Sequence, residues 1–231
     1  MREYVVDQGM ESQLSVNKRW DVDSIRYTFA STPQLINQYY HLLEAVYEDY
    51  FANGYKVTPQ EHMINNLYGK IIVALNEEGQ VIGGTRLLIS RPSNPCQLPL
   101  EYDIIDLKTQ FPRFQLNCYT YSEWGRFVIA KSLPNKSIIS ENIVRMCVRV
   151  ALEDGCRYLF GLPIMPLKKR YEQIFRNMGL IFAELVSADK MPAHYEIDEF
   201  KPYLSVVDLY DKDITSLRLL DTTDETIHRT L

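Results

Sequence analysis

At 231 residues, 46% of them apolar, the chain is long enough for one well-cored domain and too hydrophobic for an intrinsically disordered one. It has no run of roughly 18 or more apolar residues, and its start, Met-Arg-Glu-Tyr-Val-Val-Asp, lacks the uncharged apolar core of a secretion signal. It therefore reads as a cytoplasmic protein without a membrane span. The net charge of −5 is unevenly spread: between Glu123 and Arg176 ten Lys and Arg stand against five acids, so the centre carries +5 and the remainder −10. Such a centre is either an ordinary solvated face or a docking patch for an anionic partner. The four cysteines, Cys96, Cys118, Cys147 and Cys156, form no Cys-x-x-Cys pair, and no His lies at ligand spacing, so neither a metal site nor a disulfide framework is expected.

Residues 1–24 are polar and aperiodic and read as an N-terminal extension. Ile25 to Ala30 alternates as a short strand, and Ser31-Thr32-Pro33 signals a helix start. The helix carries Leu35, Tyr39, Leu42, Leu43, Val46, Tyr47 and Tyr50 on one face, with Asn53-Gly54 as the stop. A second helix is expected from Pro59 to about Leu67. Lys70 to Leu75 and Val81 to Ser90 then form an antiparallel pair around residues 76–80. From Arg91 to Asn117 four prolines, Pro92, Pro95, Pro99 and Pro112, interrupt any period, which predicts a long functional or mobile loop able to cover a pocket. A strand at Tyr119 to Ala130 follows, then a helix from Ser137 to Asp154 stopped by Gly155 and a strand at Tyr158 to Leu162. A helix from Leu167 to Met178, closed by Gly179, precedes strands at Ile181 to Ser187 and Tyr203 to Leu209. Residues 25–210 thus predict one α/β (α+β) domain, a mixed and mostly antiparallel central sheet flanked by helices; residues 211–231 read as a frayed tail.

The most informative stretch is Tyr119 to Ala130, Tyr-Thr-Tyr-Ser-Glu-Trp-Gly-Arg-Phe-Val-Ile-Ala, because Glu123 and Arg126 stand inside an apolar strand. Buried charges persist only when paired or facing a cavity. In a flat strand residues three apart point to opposite faces, but Gly125 between them signals a bulge that brings both charges to one side.

The element order, with Gly84-Thr85-Arg86-Leu87-Leu88 on one strand and Glu123-Trp124-Gly125-Arg126-Phe127 on the next, resembles the GNAT acyltransferases. The two motifs look like the Arg-Leu-Leu and Glu-x-x-Arg-Phe elements of the autoinducer-synthase and N-acyl amino acid synthase branch. The chain departs from that pattern in three places. Leu43 stands where autoinducer synthases carry Arg on the first helix, the segment from Glu61 to Tyr68 offers only Glu61 and amides such as Asn65 and Asn66 for their Asp-x-x-Asp element, and Phe175 replaces the usual tyrosine of the last helix. If a tyrosine protonates the departing thiolate here, it is Tyr171 or one from elsewhere. The junction from Ala130 to Ser137 has no glycine for a coenzyme A pyrophosphate loop, an absence shared with autoinducer synthases. The resemblance implies an acyl thioester on an acyl carrier protein's phosphopantetheine, or on coenzyme A, as co-substrate with no permanently bound cofactor, and an N-acylated product of the kind used in quorum sensing.

Acyl transfer to an amine needs a neutral nucleophile, a polarised carbonyl and a channel for the tail. Glu123 is the candidate base, acting through a water, with Arg126 orienting it; alternatively the two form a structural ion pair. Arg126 lowers and burial raises the Glu123 pKa, and the sequence leaves the balance open. Arg86 either holds an acceptor carboxylate or joins the buried network. Trp124, Phe127 and Val128, with Ile129, line an acyl channel or are plain core. Lys131 and Lys136 are candidate phosphate contacts, and Arg145, Arg149, Lys168, Lys169 and Arg170 are candidate docking residues for an acidic carrier protein. The basic run is too short, and too poor in aromatics, for nucleic acid. The expected function is N-acyl transfer to a small, amino-acid-like amine. The alternatives are a catalytically silent GNAT-like module that binds an acyl carrier or lipid-like ligand, and a coenzyme A-dependent acetyltransferase.

Overall fold

The computed structural model describes residues 24–48, 56–102, 105–191 and 202–210. The expected extension up to Asp23, the Asn53-Gly54 stop and the tail 211–231 lie outside these. Helix starts are set as the sequence implies. Thr32 accepts from the Leu35 amide ahead of α1 (Pro33–Tyr47), and Thr58 with Glu61 forms a capping box at α2 (Pro59–Tyr68). Both helices begin with proline at the first turn, where its missing N–H costs nothing.

Seven strands form one sheet in the order β1-β2-β3-β4-β5-β7-β6. They are β1 (Arg26–Phe29), β2 (Gly69–Leu75), β3 (Val81–Ser90), β4 (Thr120–Ile129), β5 (Cys156–Gly161), β6 (Phe182–Val186) and β7 (Leu204–Asp208). Every neighbouring pair is antiparallel except β4–β5, whose parallel pairing is made by the crossover helix α5 (Lys136–Glu153). With α6 (Lys168–Asn177), α5 covers one face, burying Val144, Cys147, Ile174 and Phe175 against Leu87, Leu159 and Val207. The other face carries α1 and α2, with Tyr39 and Leu43 on Ile71 and Val73, and Ile64 beside Leu88.

The proline-rich segment departs from expectation. It is part of the core: Leu98, Leu100, Ile105, Leu107, Phe111, Phe114 and Leu116 are all buried, packed with Tyr121, Tyr158 and Phe160. Two short helical turns, α3 (Pro99–Tyr102) and α4 (Leu107–Gln110), and a 3-10 turn at Pro112–Phe114 deliver them. Each turn is too short to repeat a helical period, so the apolar residues look irregular in sequence although they share one side. Among the described residues no helix is long and apolar enough to cross a membrane.

Candidate active site

The decisive local event is a bulge in β4. The register pairs Arg86 with Gly125 but Gly84 with Val128, so Thr85 alone faces two residues, Arg126 and Phe127. Side-chain alternation reverses across it: Trp124 packs on the α5–α6 face, whereas Val128, four residues on, packs on the α1 face. The residue that bends the strand is Arg126, with φ 54, while Gly125 beside it has no positive φ. A left-handed arginine costs roughly 1–2 kcal/mol, so its surroundings have to hold it.

They do so with three hydroxyls. The bulge leaves consecutive carbonyls for side chains to satisfy: Thr85 donates to Gly125 O at 3.0 Å, Tyr39 to Arg126 O at 2.7 Å and Tyr47 to Phe127 O at 3.3 Å. Tyr39 lies this close to the sheet because Gly84 has no side chain; a Cβ there would sit 2.9 Å from the tyrosine ring and 2.7 Å from Ile72 O. Tyr39→Phe removes the donor at the strained residue. It is expected to lower stability by about 1–3 kcal/mol, read as a shift in urea midpoint at unchanged m value.

On the α1–α2 face the bulge assembles a chain of alternating charge. Arg126 Nε donates to Glu61 Oε1 at 2.8 Å, Arg86 Nη1 donates to the same oxygen at 3.3 Å, and Arg86 Nη2 lies 3.7 Å from Glu123 Oε1. The other Glu123 oxygen accepts from the Leu100 amide of α3 at 3.0 Å. Glu123 and Arg126 therefore share a face, but Arg126 pairs with Glu61, and the guanidinium beside Glu123 belongs to Arg86. The expected direct Glu123–Arg126 pair is corrected on this point: the bulge swings Arg126 towards α2. Glu61 serves twice, because its Oε2 also accepts from the Thr58 amide in the capping box. Its sequence signal was the Thr-Pro-Gln-Glu capping pattern, which announces a helix start and says nothing of two arginines.

Burial wins at Glu123. Desolvation raises its carboxyl above the usual range; Arg86, the Leu100 amide and Arg126 pull it down, and Glu61 adds to the rise. A buried carboxylate with an elevated pKa is a stronger base than an exposed one. Next to it, β4 and β5 part company: their pairing ends at Trp124 opposite Gly161, where β5 stops while β4 runs on to Ile129. Among the described residues the edge of β4 beyond Trp124 on that side has no strand partner, which suits an extended, amide-bearing arm.

Solved structures share this architecture. The N-acyl amino acid synthase FeeM from uncultured soil microbes matches with a TM-score of 0.61 at 13% identity, over 81% of this chain and 92% of FeeM. The AHL synthase LasI gives 0.54 at 15% identity, covering 84% and 93% respectively. BjaI, a CoA-dependent acyl-homoserine lactone synthase solved with MTA, gives 0.52 at 15%, covering 85% and 87%. The fold is the GNAT acyltransferase fold. No family model and no curated protein matches the chain. At such identities the likeness speaks for the fold, and the chemistry has to be argued from the site.

Within this GNAT fold the remaining expected site residues scatter. Trp124 and Phe127 face α5 and α6, whereas Val128 packs with Tyr39 and Leu43 on the opposite face, so the three do not line one channel. The bulge between them is the reason. Lys131 donates to Ala45 O on α1 at 3.3 Å, and Lys136 and Lys169 are exposed. Arg145 and Arg149 are paired on their own helix with Glu141 and Glu153, at 2.7 and 2.8 Å, and Lys168 with Glu184. Arg170 donates to Ser140 Oγ at 2.8 Å. Of the expected docking residues, Arg145 and Arg149 are thus neutralised by acids of their own helix and Lys168 by one on β6, whereas Lys169 and Arg170 have no acid among these pairs. Phe175 is buried and stacked on Phe182, while burial holds the neighbouring Tyr171 phenol above its ordinary pKa and therefore protonated at neutral pH. A cavity of about 280 Å³ lies between α1, α2 and the ends of β1 and β2, lined by Ile36, Asn65, Asn66 and Ile71 among others and not by Glu123. Among the described residues no group of three or more His, Cys, Asp or Glu side chains is placed to hold a metal ion.

Proposed function

We propose that the protein is an N-acyltransferase that moves an acyl group from a thioester carrier to the amine of an amino-acid-like acceptor. The observation that carries this reading is the placement of Glu123, buried with a raised pKa and held by Arg86 and Leu100, beside the point where β4 and β5 diverge. Glu123 takes the proton from the acceptor ammonium, through a water. The neutral amine then attacks the thioester carbonyl, a C–N bond forms and the C–S bond breaks; the departing thiolate takes the Tyr171 phenol's proton, and the phenolate is restored by the second proton shed from the acylated nitrogen, which leaves a neutral amide. Arg86 positions Glu123, and Arg126 reaches the same network through Glu61. Either coenzyme A or an acyl carrier protein serves as carrier in this scheme. The pairing of Arg145 and Arg149 on α5, and of Lys168 with Glu184 of β6, favours coenzyme A, the donor named for BjaI.

A second reading is favoured by one observation: Glu123 is only 7% exposed and capped by a backbone amide. That suits a catalytically silent module that binds thioesters. Thiol release separates the two, using acyl-CoA and acyl-carrier donors with a panel of amino acids and S-adenosylmethionine. Amine-dependent release is expected with at least one pair; binding of donors with no release from any pair overturns the transferase in favour of the module.

A further inference from the structure

The split between β4 and β5 has a filled apex. The indole of Trp124 lies so near Gly161 that a Cβ on that glycine would be 2.1 Å from Nε1 and 2.7 Å from Cε2. Tyr171 meets the ring edge-on with centroids 4.7 Å apart, Phe175 lies at 6.0 Å, and Phe127 contacts Tyr171 at 6.3 Å. Trp124, Tyr171 and Phe175 are 4%, 3% and 0% exposed. The indole Nε1 is buried with no hydrogen-bond partner among the described residues. An aliphatic core residue would avoid that unpaired donor, so the position uses the volume of the ring despite its N–H. A local rule broken without local gain is expected where function asks for it.

We propose that Trp124 is an acyl-length gate: with Tyr171 and Phe175 it stoppers the space below the strand split, so the donor delivers a short acyl group and longer tails are refused. The proposal rests on the acyltransferase reading and fixes its substrate class. A thioester arm lies along the free edge of β4, its carbonyl next to Glu123, and the tail meets the indole after a few carbons. Gly161 belongs to the device, since any side chain there would expel the ring. Overfilling an apolar pocket by a methylene discriminates by about 10-fold or more, so the cut-off is sharp.

The test is a series of saturated thioesters, acetyl to decanoyl, presented on coenzyme A and in parallel on an acyl carrier protein. Binding is measured by calorimetry without acceptor, and turnover by thiol release with the amine panel. Wild type is expected to take acetyl and butyryl groups and to lose at least about 10-fold in affinity and in kcat/KM by octanoyl. Trp124→Leu is expected to move the break to longer chains, and Tyr171→Leu, which opens the same space from α6, does so if Trp124→Leu does not fold. A flat or rising profile in wild type, an unmoved break in a folded variant, or no binding of any thioester overturns the gate. A length break in binding with no thiol release leaves the gate standing and fells the transferase reading; transfer with a flat profile fells the gate alone.

Discussion

Glu123→Gln lowers the rate of amine acylation by about 10²- to 10⁴-fold, the usual worth of a positioned general base, with little change in donor affinity. The amide keeps an oxygen for the Leu100 N–H and a similar shape beside Arg86, so the thermal midpoint should stay within about 3 °C of wild type, roughly 1 kcal/mol for a domain of this size. Linkage gives the sign. A carboxyl whose folded pKa is raised contributes stability that is complete below its unfolded value and is lost as pH rises through the folded value. At neutral pH the substitution therefore removes an unfavourable buried charge together with its attraction to Arg86, and the two offset each other. A large fall in stability would recast Glu123 as a structural partner. An unchanged rate in a folded protein would remove it as the base.

The pH profile is the sharper readout. The base has to be deprotonated, so kcat/KM should rise with unit slope to a plateau, its midpoint above the usual carboxylate value of about 4.3. Arg86 lowers the Glu123 pKa, so Arg86→Gln should carry the midpoint to higher pH. In Glu123→Gln the limb should vanish altogether. A limb that persists there belongs to another group, such as the acceptor amine.

Much of this architecture is legible in the chain, and the parts that are not share a physical cause. α1, α5 and α6 show because Tyr39 and Leu43, Ile143 and Cys147, and Tyr171, Ile174 and Phe175 repeat at helical spacing on faces that are in fact buried. A bulge near Gly125 shows because glycine is the usual mark of irregular strand. The residue that turns, however, is Arg126, held there by Tyr39 and Glu61, neither of which is near it in sequence. Which carboxylate an arginine chooses is a tertiary matter: Glu61 is 65 residues from Arg126, whereas Glu123 is three. The segment after β3 hides its role for another reason. Leu98, Leu100, Leu107 and Phe114 are core residues carried on turns of three or four residues, and the Leu100 group that reaches Glu123 is a backbone amide, which no side-chain pattern announces.

Glu61→Ala is expected to be the most destabilising single change in this cluster, at about 3–5 kcal/mol, the usual cost of stripping a buried charge of its partner. Three losses coincide. Arg86, its side chain 3% exposed, loses its nearest carboxylate; Arg126 loses the bond that offsets its left-handed backbone; and α2 loses half of its capping box. With Glu61 gone, the two guanidinium groups lose the carboxylate oxygen that they share. Glu61→Gln separates these effects, because the amide keeps the shape and its one oxygen for the Thr58 amide, so the cap survives while the charge and the acceptor shared by Arg126 and Arg86 are lost. Urea midpoints should therefore rank wild type above Glu61→Gln, and Glu61→Gln above Glu61→Ala. The charge has a second signature. Glu61 raises the Glu123 pKa, so Glu61→Gln should move the acid limb of kcat/KM to lower pH, opposite to Arg86→Gln and by less, since Arg86 acts on Glu123 more strongly than Glu61 does. Shifts of the same sign in the two variants would mean that the limb reports the integrity of the fold and not the titration of Glu123.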